Sequence, residues 1–265
     1  MDNCQDFQIV NDGNSVFDLS VLSAIGVRSE QQDSFGYNLR CDEGIVVVCD
    51  GMGGREAGSV ASSVAVKNVL DAYEGNFSDA SITELLIDCA NETDQKICNL
   101  CDENGVKLNS GTTMVAVAIK DYSLCWCSVG DSRAYLARKG EFVQFTQDQN
   151  YKTVLDEKLR ANLITEDAYA VEMKRGEALI SFLGIGNLSL IDYNNLPLQL
   201  EKDDKIIIMT DGLYKVLEDE EIARVADNFS NIEDALNALE IKTKKQAKKK
   251  NISRDNMTVA LIKIR

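Results

Sequence analysis

Residues 45–54 read IVVVCDGMGG, an apolar run that ends abruptly in an aspartate and a group of glycines. Such a run predicts a buried strand, and the dipeptide Asp50-Gly51 predicts a turn directly after it. Residues 205–212, KIIIMTDG, repeat the pattern and end in Asp211-Gly212. A carboxylate at the end of a buried strand is costly unless its charge is compensated.

Four aspartates in all lie at the ends of apolar strands, because Asp131 follows WCSVG and Asp255 precedes MTVALI. If the strands belong to stacked sheets, their ends can meet at one rim, where clustered carboxylates repel each other unless cations are present. Oxygen ligands without histidine or thiolate are typical of sites for Mg²⁺ or Mn²⁺. The pattern predicts a divalent-metal site, and a set of ordinary turn residues stays open as the alternative.

The composition of the 265-residue chain removes several other classes of function. Its formal net charge of −15 disfavours nucleic-acid binding, which needs lysines and arginines against phosphates. The chain has no histidine, which excludes Ser-His-Asp and Cys-His catalysis and His-ligated zinc. Any acid–base work must then fall to carboxylates, metal-activated water, Lys, Tyr or Cys.

The N-terminal residues and the cysteines predict a cytoplasmic protein. Residues 1–14 lack the apolar segment of a secretion signal, and no run approaches the ~20 apolar residues of a membrane span. The eight cysteines are therefore expected to be reduced. Cys98-x-x-Cys101 and Cys125-x-Cys127 leave zinc open as an alternative, but we expect these cysteines to be buried apolar residues on a helix and a strand.

The hydrophobic pattern predicts an order of elements that does not alternate as in a parallel sheet. It predicts strands at 18–25, 45–49, 205–210 and 257–264, a β-meander at 111–146 with turns at Asp121-Tyr122 and Lys139-Gly140, helices at 56–73, 81–101 and near 231–241, and short outlying helices within 150–180. Ser81 and Glu84 suggest a capping box for the second helix. These elements predict an α+β fold of largely antiparallel sheets covered by helices.

Eight short motifs follow one another along residues 26–259. They are Gly26-Val27-Arg28 with Gln32-Asp33-Ser34, Val48-Cys49-Asp50-Gly51-Met52-Gly53-Gly54, Ser110-Gly111-Thr112-Thr113, Val129-Gly130-Asp131-Ser132-Arg133-Ala134-Tyr135, Thr146-Gln147-Asp148, Leu183-Gly184, Met209-Thr210-Asp211-Gly212-Leu213, and Asp255-Asn256-Met257-Thr258-Val259. Each is weak alone, but the ordered set resembles the metal-dependent protein serine/threonine phosphatases of type 2C, the PPM family, and specifically its compact bacterial members.

The resemblance implies one catalytic domain over residues 1–265. Its fold would be a four-layer α-β-β-α sandwich, with two mainly antiparallel sheets flanked by helices and two Mn²⁺ or Mg²⁺ ions at one end of the sheets. By position, Asp50 would bridge both ions and the Gly51 carbonyl would ligate the second. Asp211 and Asp255 would ligate the first.

The resemblance also implies roles for three further residues and one segment. Asp33 would hold metal-bound waters, Asp131 would help to bind a third, weaker metal ion, and Arg28 would hold the substrate phosphate, a role suited to its bidentate fork. Residues from about 150 to 180 would form a mobile flap beside the site.

The implied reaction is hydrolysis of phosphoserine and phosphothreonine in proteins. A hydroxide that bridges the two metal ions would attack phosphorus directly, without a phospho-enzyme. The expected partners are a eukaryotic-like Ser/Thr kinase and its targets. We expect a monomer that has no nucleic-acid partner and does not insert stably into a membrane.

The chain departs from the family pattern at four positions. Met52 stands where eukaryotic members place a histidine that protonates the leaving group, so a metal-bound water is the expected donor. Gln32 stands where Glu is frequent, and Gln149 and Arg55 stand where His is often seen. None of these is a direct metal ligand, so metal affinity and substrate preference are affected rather than the reaction.

Two other functions and one basic segment stay open. Cys49 and Arg55 satisfy the Cys-x5-Arg spacing of cysteine-dependent phosphatases, although no histidine precedes the cysteine and the neighbouring Asp50 opposes its thiolate. A non-catalytic phosphoprotein-binding or scaffold domain of the same fold is the second alternative. Residues 242–250, KTKKQAKKK, suggest either a solvated helix end or an attractor for acidic phosphosubstrates or anionic lipid.

Overall fold

The computed structural model describes residues 7–54, 56–75 and 81–265. Its strands are β1 (Phe7–Gly13), β2 (Phe17–Ala24), β3 (Asp33–Leu39), β4 (Glu43–Gly53), β5 (Ser110–Thr112), β6 (Met114–Lys120), β7 (Ser123–Val129), β8 (Arg133–Arg138), β9 (Glu141–Gln144), β10 (Asp192–Tyr193), β11 (Leu198–Gln199), β12 (Lys205–Met209) and β13 (Met257–Ile264). Its helices are α1 (Ala57–Gly75), α2 (Ile82–Cys98), α3 (Tyr151–Arg160), α4 (Glu166–Glu172), α5 (Asp211–Tyr214), α6 (Asp219–Asn228) and α7 (Ile232–Lys250), with a 3₁₀ turn at Met173–Arg175. None of these helices is long and apolar enough to cross a membrane.

The strands form two sheets, and every pairing between strands is antiparallel. One sheet has the order β1-β2-β13-β12-β8-β9. The other has the order β10-β7-β6-β4-β3, with β11 paired to β7 and β5 paired to the end of β4. The strand β2, near the start of the sequence, pairs with β13, near its end. The first sheet therefore forms only when distant parts of the sequence meet.

The strand β4 shows why the apolar runs are continuous rather than alternating. Val46 and Val48 pack between the sheets, in a core shared with Ile206 and Ile208 of β12. Ile45 and Val47, on the other face of β4, pack against α1 and α2. Successive side chains of a strand point to opposite faces, so a strand covered on both faces must be apolar at every position.

The first sheet is covered in the same way on its outer face. Ile207 and Met209 of β12 pack in a third core with residues of α6 and α7, among them Leu236 and Leu239. The layers are therefore helices, sheet, sheet and helices. The predicted α-β-β-α sandwich of two antiparallel sheets is confirmed.

Most predicted elements are present within a few residues of their expected bounds. The strands predicted at 18–25, 205–210 and 257–264 are β2, β12 and β13. Both predicted hairpin turns have left-handed backbones, at Asp121-Tyr122 and at Lys139-Gly140, as tight two-residue hairpins require. Ser81 caps α2 by accepting a hydrogen bond from the Glu84 N–H at 3.5 Å.

The predicted meander over 111–146 is wrong in one respect, because its strands do not share a sheet. The β6–β7 hairpin belongs to the second sheet, whereas β8 and β9 belong to the first. The chain crosses between sheets at residues 130–132, where Gly130 has φ of +100°. Strands buried on both faces look alike in sequence, so the pattern could not show to which sheet each belongs.

The turns predicted at the two Asp-Gly pairs are also wrong. The strand β4 continues through Asp50-Gly51 to Gly53, because its last residues pair with β5. Asp211 does not open a turn but begins the short helix α5. Both carboxylates are therefore held by regular hydrogen-bonded backbone.

The cysteines only partly follow the prediction. Cys125 and Cys127 are buried on β7 as expected. The helix α2, however, ends at Cys98, so Cys101 lies outside the helix and is exposed, and Cys98 is half-buried. In the described parts of the chain every cysteine is free.

Six regular elements were not predicted, the longest of them β1, β3 and α6 and the shorter ones β10, β11 and α5, and α7 is longer than expected. The strands β1 and β3 and the helix α6 have mixed or charged sequences that hide their apolar faces. The helix α7 extends to Lys250, so the basic segment 242–250 forms its last turns.

Residues 150–180 form α3, α4 and the 3₁₀ turn, which contact one another more than they contact the sheets. Leu155 is the one buried side chain of these three elements. The short helices are confirmed, whereas the flap and the extent of the catalytic domain remain predictions.

Candidate active site

The aspartates at the strand ends lie around one rim, where both sheets finish. Asp33 begins β3 and stands opposite Asp50 in the register with β4. On the other sheet, β12 ends two residues before Asp211, and β13 begins two residues after Asp255. The pKa of Asp50 is raised well above its usual value, by burial and then by the charges of Asp33, Asp211, Asp131 and Asp255. The structure thus brings all five predicted carboxylates into one electrostatic cluster.

Asp33 is the buried floor of this cluster. Its Oδ2 accepts a hydrogen bond of 2.9 Å from the Thr210 hydroxyl, whereas its Oδ1 has no hydrogen-bond partner among the described residues. Burial raises the pKa of Asp33 to about 7, against the opposing effect of the nearby Thr258 and Thr210 hydroxyls. A buried carboxylate oxygen without a partner is costly, so a further ligand for it is expected.

The segment Ser110-Gly111-Thr112-Thr113 fixes the backbone at Asp50. The Asp50 carbonyl accepts hydrogen bonds of 2.9 Å from the Thr112 hydroxyl and from the Thr113 N–H. The Asp50 N–H donates to the Thr113 hydroxyl, also at 2.9 Å. Gly51 cannot be replaced here, since a Cβ would lie 2.1 Å from the Gly58 carbonyl oxygen. The motif therefore positions Asp50 rather than providing a charged group.

The Asp211 carboxylate forms an ion pair with Lys215, one helical turn further along the chain. The Lys215 Nζ lies 2.7 Å from Asp211 Oδ2, one helical turn away, and 3.0 Å from Oε2 of Glu177, in the segment 150–180. Neither lysine nor glutamate was a predicted site residue. The signal that could have identified Lys215 is its spacing of four residues from an aspartate that begins a helix.

Asp255 and Arg28 form a second ion pair at the rim. The Arg28 Nη2 lies 2.7 Å from Asp255 Oδ2. This hydrogen bond is the main reason that the pKa of Arg28 is raised. Both side chains are largely exposed, so the guanidinium is accessible to an anion from solvent.

Asn256 connects the two segments that carry this ion pair, and it was not predicted as a site residue. Its side-chain oxygen accepts from the Gln32 N–H at 2.9 Å. Its side-chain amide donates to the carbonyls of Ile25 at 2.9 Å and Glu30 at 3.0 Å. The amide therefore holds the loop that contains Arg28 against the start of β13. The sequence feature that could have identified Asn256 is its position directly after Asp255.

Asp131 lies on the segment that crosses between the sheets, and its side chain is buried. Burial and the charge of Asp211 raise its pKa to about 6, while the charge of Lys215 acts in the opposite direction. The Tyr214 hydroxyl donates to the Asp131 carbonyl at 3.0 Å. Arg133, two residues on, stacks on the Tyr214 ring at 3.7 Å, which ties the crossing segment to α5.

The donor set fits a hard divalent cation, although no finished metal site is present. Within residues 7–54, 56–75 and 81–265, no three carboxylate or thiol side chains stand close enough together to hold an ion as they are. Arg28 and Lys215 instead hold two of the carboxylates. All the predicted donors are oxygens. Burial and then the repulsion among the carboxylates raise the pKa of Asp50, and Asp33 Oδ1 has no hydrogen-bond partner within the described residues. A bound divalent ion would remove both costs.

The geometry does not favour a cysteine nucleophile. Cys49 is fully buried, and burial, with the charges of Asp33 and Asp50, raises its pKa well above the usual value. A nucleophilic cysteine needs the reverse, a stabilised and accessible thiolate. Its proposed partner Arg55 lies outside the described residues.

Two antiparallel sheets between helical layers, with oxygen donors clustered at one rim, define a metal-dependent phosphatase architecture. The model of the family described as Protein phosphatase 2C matches residues 23–250. The chain belongs to this family.

Relatives with assigned names are of similar length. The chain is 27% identical over 241 residues to the "Serine/threonine phosphatase stp" of Listeria monocytogenes, covering 89% of this chain and 91% of that protein. It is 28% identical over 250 residues to the "Protein phosphatase PhpP" of Streptococcus pneumoniae, covering 92% and 96%.

Solved structures show the same fold. The serine/threonine phosphatase of S. agalactiae aligns with a TM-score of 0.78 at 27% identity, over 94% of this chain and all of that one. The catalytic domain of the phosphatase PstP, solved in complex with 2 manganese ions, aligns with a TM-score of 0.73 at 22% identity, over 94% and 98%.

Proposed function

We infer that this chain is a metal-dependent protein serine/threonine phosphatase, which hydrolyses phosphoserine and phosphothreonine in proteins. The observation that carries this conclusion is the cluster of five carboxylates at the shared rim of a type 2C fold. The names of the bacterial relatives support the same activity. No observation favours a scaffold role or a cysteine-dependent mechanism.

We propose that two Mn²⁺ or Mg²⁺ ions are held by Asp50, the Gly51 carbonyl, Asp211 and Asp255. Asp50 would contact both ions, Gly51 the second, and the other two aspartates the first. When bound, such ions neutralise the carboxylates and the substrate phosphate and supply a nucleophilic water of lowered pKa. The manganese ions of PstP, a protein of the same fold, support this assignment.

Asp33 and Arg28 would act on either side of the reacting phosphate. Asp33 Oδ1, which has no hydrogen-bond partner in the part of the chain that the structure describes, is an acceptor that can orient water at the floor of the rim. Arg28 presents a planar, permanently charged fork that matches phosphate oxygens, and its exposed ion pair can open to receive one. A phosphate dianion would draw Arg28 away from Asp255 and leave that carboxylate for a metal ion.

The remaining assignments rest on the family resemblance. We propose that the phosphatase opposes a eukaryotic-like Ser/Thr kinase in the cytoplasm, that it acts as a monomer, and that residues from about 150 to 180 form a flap beside the site. The position of Glu177 next to Lys215 supports the last point.

Hydrolysis of an aryl phosphate tests the proposed function. Activity is expected with Mn²⁺ or Mg²⁺, and excess chelator should abolish it. Asp211→Asn should reduce kcat/KM by more than ~100-fold, while the matched control Asp88→Asn, an exposed carboxylate on α2, should leave it unchanged. Activity that survives chelator or the loss of Asp211 would contradict the metal mechanism. Phosphopeptide binding without any hydrolysis would instead indicate a scaffold.

A further inference from the structure

Lys215 joins the active-site rim to the segment 150–180. Its ammonium lies 2.7 Å from Asp211 Oδ2 and 3.0 Å from Glu177 Oε2, so it contacts two carboxylates from different parts of the chain. It also lines a cleft of about 390 Å³ between α5 and that segment. The lysine side chain is 40% exposed, and its Nζ lies within ion-pair distance of both carboxylates.

A third carboxylate, that of Asp131, lies within the electrostatic field of the same ammonium. The charge of Lys215 acts on Asp131 against the effects of burial and of Asp211. The neighbouring Tyr214 fixes this arrangement, because its hydroxyl donates to the Asp131 carbonyl at 3.0 Å. Lys215 thus contacts Asp211 and Glu177, and its charge also acts on the buried Asp131.

The third metal ion that the family resemblance assigns to Asp131 would lie in the field of the same ammonium. An ammonium attached one helical turn from Asp211 is always present at high local concentration, whereas a free ion must be captured from solution. A metal ion at Asp131 and the Lys215 ammonium would repel each other, because both positive charges would lie close to the same carboxylates.

We propose that the Lys215 ammonium is a built-in cation between Asp131 and Asp211, and that it takes the place of a third metal ion. The inference rests on the proposed two-metal function and adds to it. It makes Lys215 a positioning residue, which orients Asp211 and neutralises Asp131. Through Glu177 the same ammonium also holds the segment 150–180 against the rim.

The inference is tested by counting metal ions in the full chain. The protein is dialysed to equilibrium against Mn²⁺, bound manganese is measured by elemental analysis, and affinities are measured by titration calorimetry. The wild-type chain should hold two ions. Lys215→Met should hold a third, weaker ion, and adding Asp131→Asn to that variant should return the count to two.

The matched control is Glu177→Gln, which removes one partner of Lys215 and leaves its contact with Asp211. This variant should still hold two ions. Three ions in the wild-type chain, or two in a folded Lys215→Met variant, would overturn the inference alone. A wild-type chain that holds none would contradict the proposed metal-dependent function itself. If Lys215→Met does not fold, as judged by circular dichroism, Lys215→Gln replaces it with the same expectations.

Discussion

The Asp255 side and the Asp211 side of the rim each pair a carboxylate with a cation of the chain, but by different means. Arg28 and Asp255 are 227 residues apart, and their side chains are 59% and 42% exposed. Lys215 and Asp211 are four residues apart, and their side chains are 40% and 19% exposed. The first pair joins two distant loops, and the second lies within one helical turn.

This difference indicates which cation can move. An exposed ion pair contributes at most ~1 kcal/mol, so Arg28 can leave Asp255 for a phosphate at small cost. Lys215 is tethered to its own acceptor and shares a second carboxylate, so it remains in place. We therefore expect Arg28 to bind the substrate phosphate and Lys215 to hold Asp211 in position.

Asp50 is coupled to the carboxylates of both sides and is proposed to ligate both ions, so its loss should affect both sides alike. Asp50→Asn should reduce kcat by more than ~1000-fold, because both metal positions lose a ligand and several kcal/mol of charge stabilisation are lost. The variant should bind neither ion tightly in titration calorimetry. Retention of one tight site would mean that one side of the rim holds its ion independently.

Asp33 is buried at the rim, and among the residues that the structure describes it forms no ion pair. Its pKa of about 7 in the folded protein exceeds the usual 3.8, so the folded state holds a proton that the unfolded chain releases. The resulting stability is present below pH ~4 and is lost as pH rises through ~7, by up to ~4 kcal/mol. Urea unfolding of the metal-free protein at pH 5 and pH 8 should show this loss. Asp33→Asn should remove most of it, and an equal loss in both proteins would contradict the prediction.

Arg28 should affect the substrate and leave the metal ions in place. Arg28→Ala should lower kcat/KM by ~10- to 100-fold, as expected for one lost charged hydrogen bond to phosphate. Arg28→Lys should recover part of that loss, and Arg224→Ala on α6 is the exposed control. Inorganic phosphate should inhibit Arg28→Ala more weakly than wild type. An unchanged inhibition constant would show that Arg28 does not bind phosphate.

The basic end of α7 leads directly into the Asp255 side of the rim. Lys250 contacts the Val216 carbonyl at 3.0 Å, and Arg254 pairs with the buried Glu240 at 2.7 Å, which fixes this helix end beside the site. Changing Lys245, Lys248 and Lys249 to Gln should raise KM for an acidic phosphoprotein ~2- to 5-fold, and leave KM for an aryl phosphate unchanged. Equal changes for both substrates would assign these lysines to the helix end alone.

The fold class and the members of the site could be predicted because they depend on local patterns. Continuous apolar runs mark strands that are covered on both faces, and an aspartate at the end of such a run is conspicuous. Asp50, Asp131, Asp211 and Asp255 were found in this way, and the ordered motifs added Arg28 and Asp33.

The remainder depends on contacts between segments that no local pattern records. The extension of β4 through Gly53 depends on its pairing with β5, some 60 residues later. The change of sheet at residues 130–132 depends on which strands β8 meets. The contact of Lys215 with Glu177 joins a helix end to a charged segment without clear periodicity. These features follow from the packing of the whole domain.

The central place of β13 in the first sheet has a consequence for the timing of synthesis. This strand lies between β2 and β12, and it leaves the ribosome after all the other described strands. Until then, β2 and β12 have no partner between them, and Asp255 is not yet available to the rim. Because Asp255 is one of the proposed metal ligands, we expect the nascent chain to be inactive until β13 inserts, so that a partly made phosphatase does not act on the proteins around it.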